Sequence, residues 1–167
     1  MPQTSFNSDR ATRFTRKSLR KKQHNYGWTG TYFVTIRAAE FNPLFEIPEL
    51  HTILNEIWHT LPKRFPNLTL DEFVIMPNHV HFIVGLEGNV EKSTTLGRVI
   101  GAYKSLTAVA WLHHIETLGP TDIELPGHIW QRNYYDHIIR DALELEQKRK
   151  YIRDNPIRWK QQRETTQ

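Results

Sequence analysis

Short runs rich in apolar residues predict β-strands along this chain, and longer segments with helical periodicity separate them. The run TYFVTIRAA (31–39) is rich in β-branched and aromatic residues and follows Gly30, which predicts a strand. Pro48 then opens a segment in which apolar residues recur every three or four positions, at Leu50, Ile53, Leu54, Ile57, Trp58 and Leu61. This spacing predicts an amphipathic helix with proline in its first turn.

The middle of the chain predicts a β-hairpin followed by a second helix. LTLDEFVIM (68–76) and HVHFIVGL (79–86) are strand-like runs, and Pro77 and Asn78 between them are typical of a tight turn. A helix is expected from about Thr94, with Ser93 or Thr94 as its cap. Its predicted apolar face consists of Leu96, Val99, Ile100, Tyr103, Thr107, Ala110 and Trp111.

The last third of the chain predicts one more strand and one more helix. Part of HIWQRNYYDHII (128–139) has strand character, and a helix is expected from about Asp141 to Asp154, where Pro156 should end it. The expected buried stripe of this region is Ile138, Ala142, Leu145 and Ile152. The resulting order predicts an α+β, ferredoxin-like fold with an antiparallel sheet whose helices pack mainly on one face.

The length of 167 residues fits one domain, and three parts are expected: a basic flexible arm (1–24), the domain itself (25–160) and a polar tail (161–167). No run approaches the roughly 20 apolar residues that cross a bilayer, so no membrane partner is expected. The chain has no cysteine, which excludes disulfides, thiol nucleophiles and cysteine-type zinc sites. We therefore expect a cytoplasmic protein.

Positive charge is concentrated near both ends of the chain. Residues 10–22 contain seven basic side chains and no acidic one, and residues 148–163 contain seven more against Asp154 alone. Such segregation suits contact with a polyanion, because each neutralised phosphate releases counterions. A solvated tail and a soluble helix face would give the same pattern, so charge alone leaves both interpretations open.

Two histidines stand one residue apart in the second strand of the predicted hairpin. His79 and His81 should point to the same face, about 6.5 to 7 Å apart along the strand, while Val80 faces the other way. Neutral imidazole is a common ligand of divalent metal ions, and without cysteine an open catalytic site fits better than a closed structural one. Ordinary polar surface is the alternative, because the His-X-His pattern is weak by itself.

The last predicted helix presents a tyrosine and an asparagine side by side. Tyr151 lies about 100° around the axis from Ile152, and Asn155 follows one turn later on the same side. The surrounding lysines and arginines favour phosphate chemistry, because a phenol with a pKa near 10 is a poor nucleophile until positive charge lowers that pKa. The alternative is a tyrosine that covers the edge of the core, followed by Asn-Pro as a helix stop.

Five segments in register resemble the REP-associated tyrosine transposases, which are relatives of the single-tyrosine insertion-sequence transposases in the HUH nuclease superfamily. They are YFVTI (32–36), MPNHVHFIV (76–84), GAYKS (101–105), IWQRNYYDHIIRD (129–141) and YIRDNPIRW (151–159). The resemblance runs from about residue 16 to residue 160, and it assigns the domain at 25–160 to this superfamily.

The resemblance implies a specific site and reaction. It implies Mg²⁺ or Mn²⁺ bound by His79, His81 and Asn155, with Tyr151 as the nucleophile. The implied enzyme cleaves and rejoins single-stranded DNA at palindromic hairpins through a 5′-phosphotyrosine intermediate, as a monomer or a homodimer. The DNA-binding cations expected for such a substrate are Arg16, Lys17, Arg20, Lys21, Lys22, Lys104, Arg132, Arg153 and Arg158. Trp130, Tyr134, Tyr135 and Trp159 are candidate surfaces for stacked bases.

Three alternatives are weighed against this enzyme. Replication initiators and relaxases share the two-histidine strand but usually have a third histidine and often a second tyrosine nearby, which this chain does not show. A non-catalytic protein that binds DNA hairpins would not need the intact set of site residues. A regulator of double-stranded DNA would need a helix-turn-helix, which the turn-rich segment 118–127 does not supply. His137 lies in a recognisable segment, and both a site role and a structural role are open for it.

Overall fold

The structure, a computed structural model, describes residues 30–39, 43–88, 94–119 and 124–165. The expected basic arm at 1–24 lies outside these ranges. In chain order the elements are β1 (Gly30–Arg37), a 3-10 helix (Leu44–Glu46), α1 (Pro48–Arg64), β2 (Leu68–Met76), β3 (His79–Leu86), α2 (Leu96–Leu118), β4 (Tyr135–Ile139) and α3 (Ala142–Thr165). Within the described ranges, no helix is both long and apolar enough to cross a membrane.

The four strands form one antiparallel sheet in the order β2-β3-β1-β4. This confirms the predicted α+β fold of ferredoxin-like type and the predicted hairpin between β2 and β3. Within the sheet, β1 and β3 are the two central strands, and their register places Thr35 opposite His81 and Arg37 opposite His79. The histidine pair therefore lies on a central strand of the sheet, beside the end of β1.

Two helices cover one face of the sheet and the third covers the other. Alternate residues of β1 and β3, such as Val34 and Phe82, are buried beneath α1 and α2, where Trp58 stacks on Phe73 with ring centroids 4.7 Å apart. The opposite face holds a much smaller apolar cluster, made of Phe33, Ile83, Ile139 and Ile152. Because residues alternate along a strand, Val80 belongs to the large core while His79 and His81 face α3.

The prediction that Pro156 ends the last helix is wrong, because α3 continues to Thr165 with Pro156 inside it. Proline has no N–H to donate to the carbonyl four residues earlier, but one lost hydrogen bond does not decide the outcome where later turns have tertiary contacts. Beyond the proline, Trp159 packs near His79, and Arg163 Nη1 lies 3.0 Å from Glu46 Oε1. Residues 161–165, part of the predicted polar tail, are helical and exposed.

Two smaller predictions also change. The cap of α2 is Thr95, one residue beyond the predicted start, and its Oγ1 accepts a hydrogen bond of 3.2 Å from the backbone N–H of Arg98. The predicted stripe on the last helix is half right: Ile152 and Leu145 pack in the smaller apolar cluster, whereas Ile138 belongs to β4 and Ala142 is exposed. Sequence spacing extended the stripe across the turn that separates β4 from α3.

Ion pairs attach α3 to the edge strand of the sheet. Arg149 Nη2 lies 2.6 Å from Asp71 Oδ2, and Arg149 also pairs with Glu146. One turn later Arg153 Nη2 lies 2.7 Å from Glu72 Oε1. These pairs supplement the small apolar cluster and hold the helix across the face that carries the histidines.

The start of α3 is joined to β4 by a compact hydrogen-bond cluster. Asp141 Oδ1 accepts a bond of 2.8 Å from the backbone N–H of Glu144, as a helix cap does. Glu144 Oε1 in turn lies 2.5 Å from His137 Nε2, and Glu144 Oε2 accepts a bond of 2.8 Å from the backbone N–H of Arg140. His137 therefore has a structural contact that fixes the direction in which α3 leaves the sheet.

Candidate functional site

The imidazoles of His79 and His81 meet at their Nε2 atoms, which are 3.0 Å apart. His79 Nδ1 lies 2.7 Å from Asn78 Oδ1, and an amide oxygen only accepts, so His79 carries its proton on Nδ1. His81 Nδ1 lies 2.8 Å from Thr35 Oγ1. A hydroxyl can donate or accept, so Thr35 can hold the His81 ring in either tautomer.

Both imidazoles are held in the neutral form. Burial, together with the positive charge of Arg37, lowers the pKa of His79 to about 4. Burial likewise lowers the pKa of His81 to about 3, aided by the charges of His79, Arg37 and Lys148. A neutral imidazole has a free lone pair, which is the form that binds a metal ion.

The lowered pKa of His81 predicts that the metal-free protein loses stability in mild acid. His81 titrates near 6.5 in an unfolded chain and at about 3 here, so between these values the unfolded state binds more protons and stability rises with pH. Because His81 is only 5% exposed, we expect its titration alone to lower the free energy of unfolding by about 2 kcal/mol on going from about pH 7 to pH 5. Denaturant unfolding in the presence of a chelator would measure it. The His81→Gln variant should have a shallower pH slope, whereas His59→Gln, on the exposed side of α1, should keep the slope of the wild type.

Tyr151 lies next to the histidine pair on α3. Its ring centroid is 5.4 Å from that of His81 and 5.9 Å from that of Phe33, and the residue is 40% exposed. Lys148, one turn earlier, places its ammonium 4.9 Å from the centre of the Phe33 ring. The tyrosine is therefore reachable from solvent and lies in a positively charged neighbourhood.

A pocket of about 340 Å³ lies where β1, β3 and α3 meet. It is lined by Thr35, Arg37, His79, His81, Tyr151, Asn155, Arg158, Trp159 and Gln162. The four residues that the sequence singled out for catalysis and metal binding thus face one space, although they come from two segments about 70 residues apart.

The residues at this pocket fit a divalent metal ion with mixed nitrogen and oxygen ligands. Among the described residues, no group of three or more His, Asp or Glu side chains could hold a metal ion, so the candidate ligands at this pocket are the two imidazoles and the Asn155 amide. Adjacent ligands of an octahedral ion with bonds of about 2.1 Å are about 3 Å apart, which matches the distance between the two Nε2 atoms. Asn155 can bind a cation only through its Oδ1, while its buried Nδ2 is a donor with no hydrogen-bond partner among the described residues, so an acceptor oxygen of a ligand can satisfy it.

The predicted DNA-binding cations fall into several groups. Arg158 lines the pocket, Arg132 is exposed, and Arg153 is paired with Glu72. The ammonium of Lys104 donates to three backbone carbonyls at positions 131–133, the closest at 2.7 Å, so it also shapes that loop. Arg16, Lys17, Arg20, Lys21 and Lys22 lie outside the described residues.

The proposed stacking surfaces divide in the same way. Trp130 is 4% exposed and its Nε1 donates a bond of 2.8 Å to Thr107 Oγ1, so its assignment to a DNA-stacking surface is wrong. Tyr135 is 51% exposed, and Trp159 lines the pocket. Trp130 follows the β-branched Ile129, and from sequence alone an aromatic ring in this position can belong to the core as well as to a surface that stacks on a base.

Sequence reasoning missed Thr35 and Arg37 as pocket residues. They alternate on β1 with buried residues, which is the one signal that places them on the same face as each other. Their position beside the histidines depends on the register between β1 and β3, and nothing local to either strand specifies it.

The comparisons with known proteins define a DNA-processing transposase. A family model described as "Transposase IS200 like" matches residues 42–155, a span that includes both histidines, Tyr151 and Asn155. An uncharacterised protein of Haemophilus influenzae is 31% identical over 172 residues, which cover 87% of this chain and 91% of that protein. The chain belongs to the IS200-like transposase family, so the resemblance to single-tyrosine transposases is confirmed.

Two solved structures share the fold. One is a REP-associated tyrosine transposase bound to a REP hairpin, with a TM-score of 0.61 and 20% identity over 84% of this chain and 74% of that one. The other is a candidate transposase of Deinococcus radiodurans, with a TM-score of 0.51 and 18% identity over 81% of this chain and 97% of that one. Both support the ferredoxin-like architecture described above.

Proposed function

We propose that the protein is a metal-dependent endonuclease and transposase that cleaves and rejoins single-stranded DNA at palindromic hairpin elements. The observation that carries the proposal is the single pocket that Tyr151 shares with two neutral imidazoles and the Asn155 amide. A solved structure of the same fold is bound to a REP hairpin, which supports a hairpin as the substrate.

The reaction begins with the Tyr151 hydroxyl. Its oxygen attacks the scissile phosphorus, and the bond from phosphorus to the 3′-oxygen breaks on the opposite side. The phenolic proton passes to solvent, which reaches this partly exposed side chain, and the departing 3′-oxygen takes up a proton. The products are a 5′-phosphotyrosine link and a free 3′-OH, and attack by a second 3′-OH on that link rejoins DNA and restores Tyr151.

His79, His81 and Asn155 are the residues that would hold Mg²⁺ or Mn²⁺. A bound ion of this kind polarises the scissile phosphate and stabilises the charge that develops on it. The chain supplies the positions: Thr35 fixes the His81 ring by its 2.8 Å contact, and Asn78 fixes the His79 ring. Ligand rings held in this way lose little freedom on binding.

The test of the proposed function is formation of a covalent protein–DNA adduct. The purified protein is incubated with an end-labelled single-stranded hairpin carrying an unpaired flank, with Mn²⁺ or with a chelator, and analysed on a denaturing gel. We expect strand cleavage and an adduct that survives denaturation, both only with the metal. Tight hairpin binding without any cleavage under these conditions would replace the enzyme by a non-catalytic DNA-binding protein.

The Thr35→Val variant should bind Mn²⁺ about tenfold more weakly than the wild type, with a similar loss of cleavage at limiting metal. The substitution keeps the shape of the side chain and removes only the hydroxyl that contacts His81 Nδ1. Isothermal titration with Mn²⁺ measures the affinity directly, without DNA. A matched variant is Thr60→Val, which removes a hydroxyl from the exposed side of α1 and should leave Mn²⁺ binding unchanged.

A further inference from the structure

The indole nitrogen of Trp159 is buried and has no hydrogen-bond partner among the described residues. Other tryptophans of the chain satisfy this group internally: Trp111 Nε1 donates to the Pro126 carbonyl and Trp130 Nε1 to Thr107, each at 2.8 Å. A buried N–H without an acceptor is unfavourable, so an unpaired one in a pocket indicates an acceptor that arrives with a ligand.

The surroundings of Trp159 indicate that this ligand is an anion. Asn155, one turn earlier on α3, presents a second unpaired N–H group, and both residues line the same pocket. Arg37 and Arg158 line it as well, whereas no Asp or Glu is among its lining residues. The nearest carboxylate pairing of Arg158 is a long one, 3.9 Å from Asp154 Oδ2, which leaves most of its N–H groups for a ligand.

Trp159 lies about two helical turns beyond Tyr151 on α3. Eight residues separate the two, which is about 12 Å along the axis. The rings are also distributed along the histidine pair, with Tyr151 next to His81 and Trp159 next to His79 at 6.2 Å between centroids. An oxyanion bound by Trp159 is therefore a different phosphate group from the one that reacts.

We propose that the Trp159 indole N–H, together with the guanidinium groups of Arg37 and Arg158, binds the backbone phosphate next to the scissile one. The indole donates to one non-bridging oxygen and the guanidinium groups bind the others, as planar forks suited to phosphate. The inference rests on the proposed function, since it takes a DNA strand as the ligand. These are positioning residues: they fix the register of the strand so that the correct phosphate lies against Tyr151.

The experiment measures binding with phosphates neutralised one at a time. In the non-cleaving Tyr151→Phe background, fluorescence anisotropy follows a single-stranded hairpin whose unpaired flank carries one methylphosphonate, moved along position by position. We expect one position to weaken binding about tenfold, since a charge-assisted contact is lost. Adding Trp159→Phe or Arg158→Gln should weaken binding of the unmodified DNA by a similar factor. A methylphosphonate at that position should then cause no further loss of binding.

Two matched variants control for stability and charge. Trp111→Phe loses the hydrogen bond to the Pro126 carbonyl far from the pocket, so it should lower the melting temperature and keep the phosphate response. Arg163→Gln removes one positive charge from the same helix outside the pocket lining and should also keep it. Arg158 is exposed, so Arg158→Gln remains informative even if Trp159→Phe folds poorly.

The inference is overturned if the methylphosphonate scan gives the same profile in the background and in both the Trp159→Phe and Arg158→Gln variants. It is also overturned if the methylphosphonate position whose effect these two variants abolish is the scissile phosphate, which cleavage by the wild type identifies. Failure of the proposed function is seen separately. If the wild type forms no covalent adduct, the proposed enzymatic activity is excluded, while the binding profile still tests the phosphate contact.

Discussion

Replacing Tyr151 by phenylalanine is expected to abolish the covalent protein–DNA adduct and to slow strand cleavage at least about a thousandfold, because the nucleophilic oxygen is removed. The phenylalanine ring keeps the edge contacts with Phe33 and His81, so folding and hairpin binding should be retained. Denaturing gels report the adduct, and anisotropy on the same samples reports binding. An adduct of unchanged yield would show that another residue is the nucleophile.

The control for this substitution is Tyr103→Phe. Tyr103 is fully buried beneath the other face of the sheet, and its hydroxyl donates a bond of 3.1 Å to the Leu54 carbonyl. Loss of that bond should cost about 1 kcal/mol of stability. The covalent adduct should still form, which separates loss of a hydroxyl from loss of the nucleophile.

Replacing His81 by glutamine is expected to weaken Mn²⁺ binding at least about a hundredfold and to reduce cleavage to the level seen with a chelator. One of two imidazole ligands is removed, and the remaining His79 and Asn155 cannot compensate for it. Titration of the DNA-free protein with Mn²⁺ gives the affinity independently of activity. Glutamine is similar to histidine in size and polarity, so the substitution should disturb little besides the stacked contact between His81 and Phe33.

The matched control is His51→Gln on the exposed surface of α1, which should leave Mn²⁺ affinity and cleavage unchanged. Equal Mn²⁺ affinity in His81→Gln and the wild type would remove His81 from the ligand set. Full cleavage by His81→Gln in the presence of a chelator would remove the metal from the proposed reaction.

The part of the fold that was predictable is the part governed by local periodicity. The alternation in β3 placed His79 and His81 on one face and Val80 on the other, and the helical spacing placed Tyr151 and Asn155 on one side of α3. Both predictions need only the geometry of one element. The meeting of the two elements came from the resemblance to a family, since no local rule specifies it.

What could not be predicted depends on contacts between distant segments. Arg37 and Thr35 reach the pocket through the register of β1 against β3, and Pro156 stays within a helix whose later turns are held by Arg163 and Trp159. Trp130 is buried in the large core, where its indole donates to Thr107, 23 residues away in the chain. In each case tertiary packing decides what local propensity leaves open.

The attachment of α3 makes ionic strength a control on the position of the Tyr151 hydroxyl. A large apolar core holds α1 and α2 against the sheet. The helix that carries Tyr151 has one fully buried apolar residue, Ile152, and is otherwise held by ion pairs to Asp71 and Glu72. The attraction within exposed ion pairs weakens as the salt concentration rises, whereas apolar packing is not weakened. A high salt concentration would therefore loosen α3 from the sheet before it unfolds the rest of the domain.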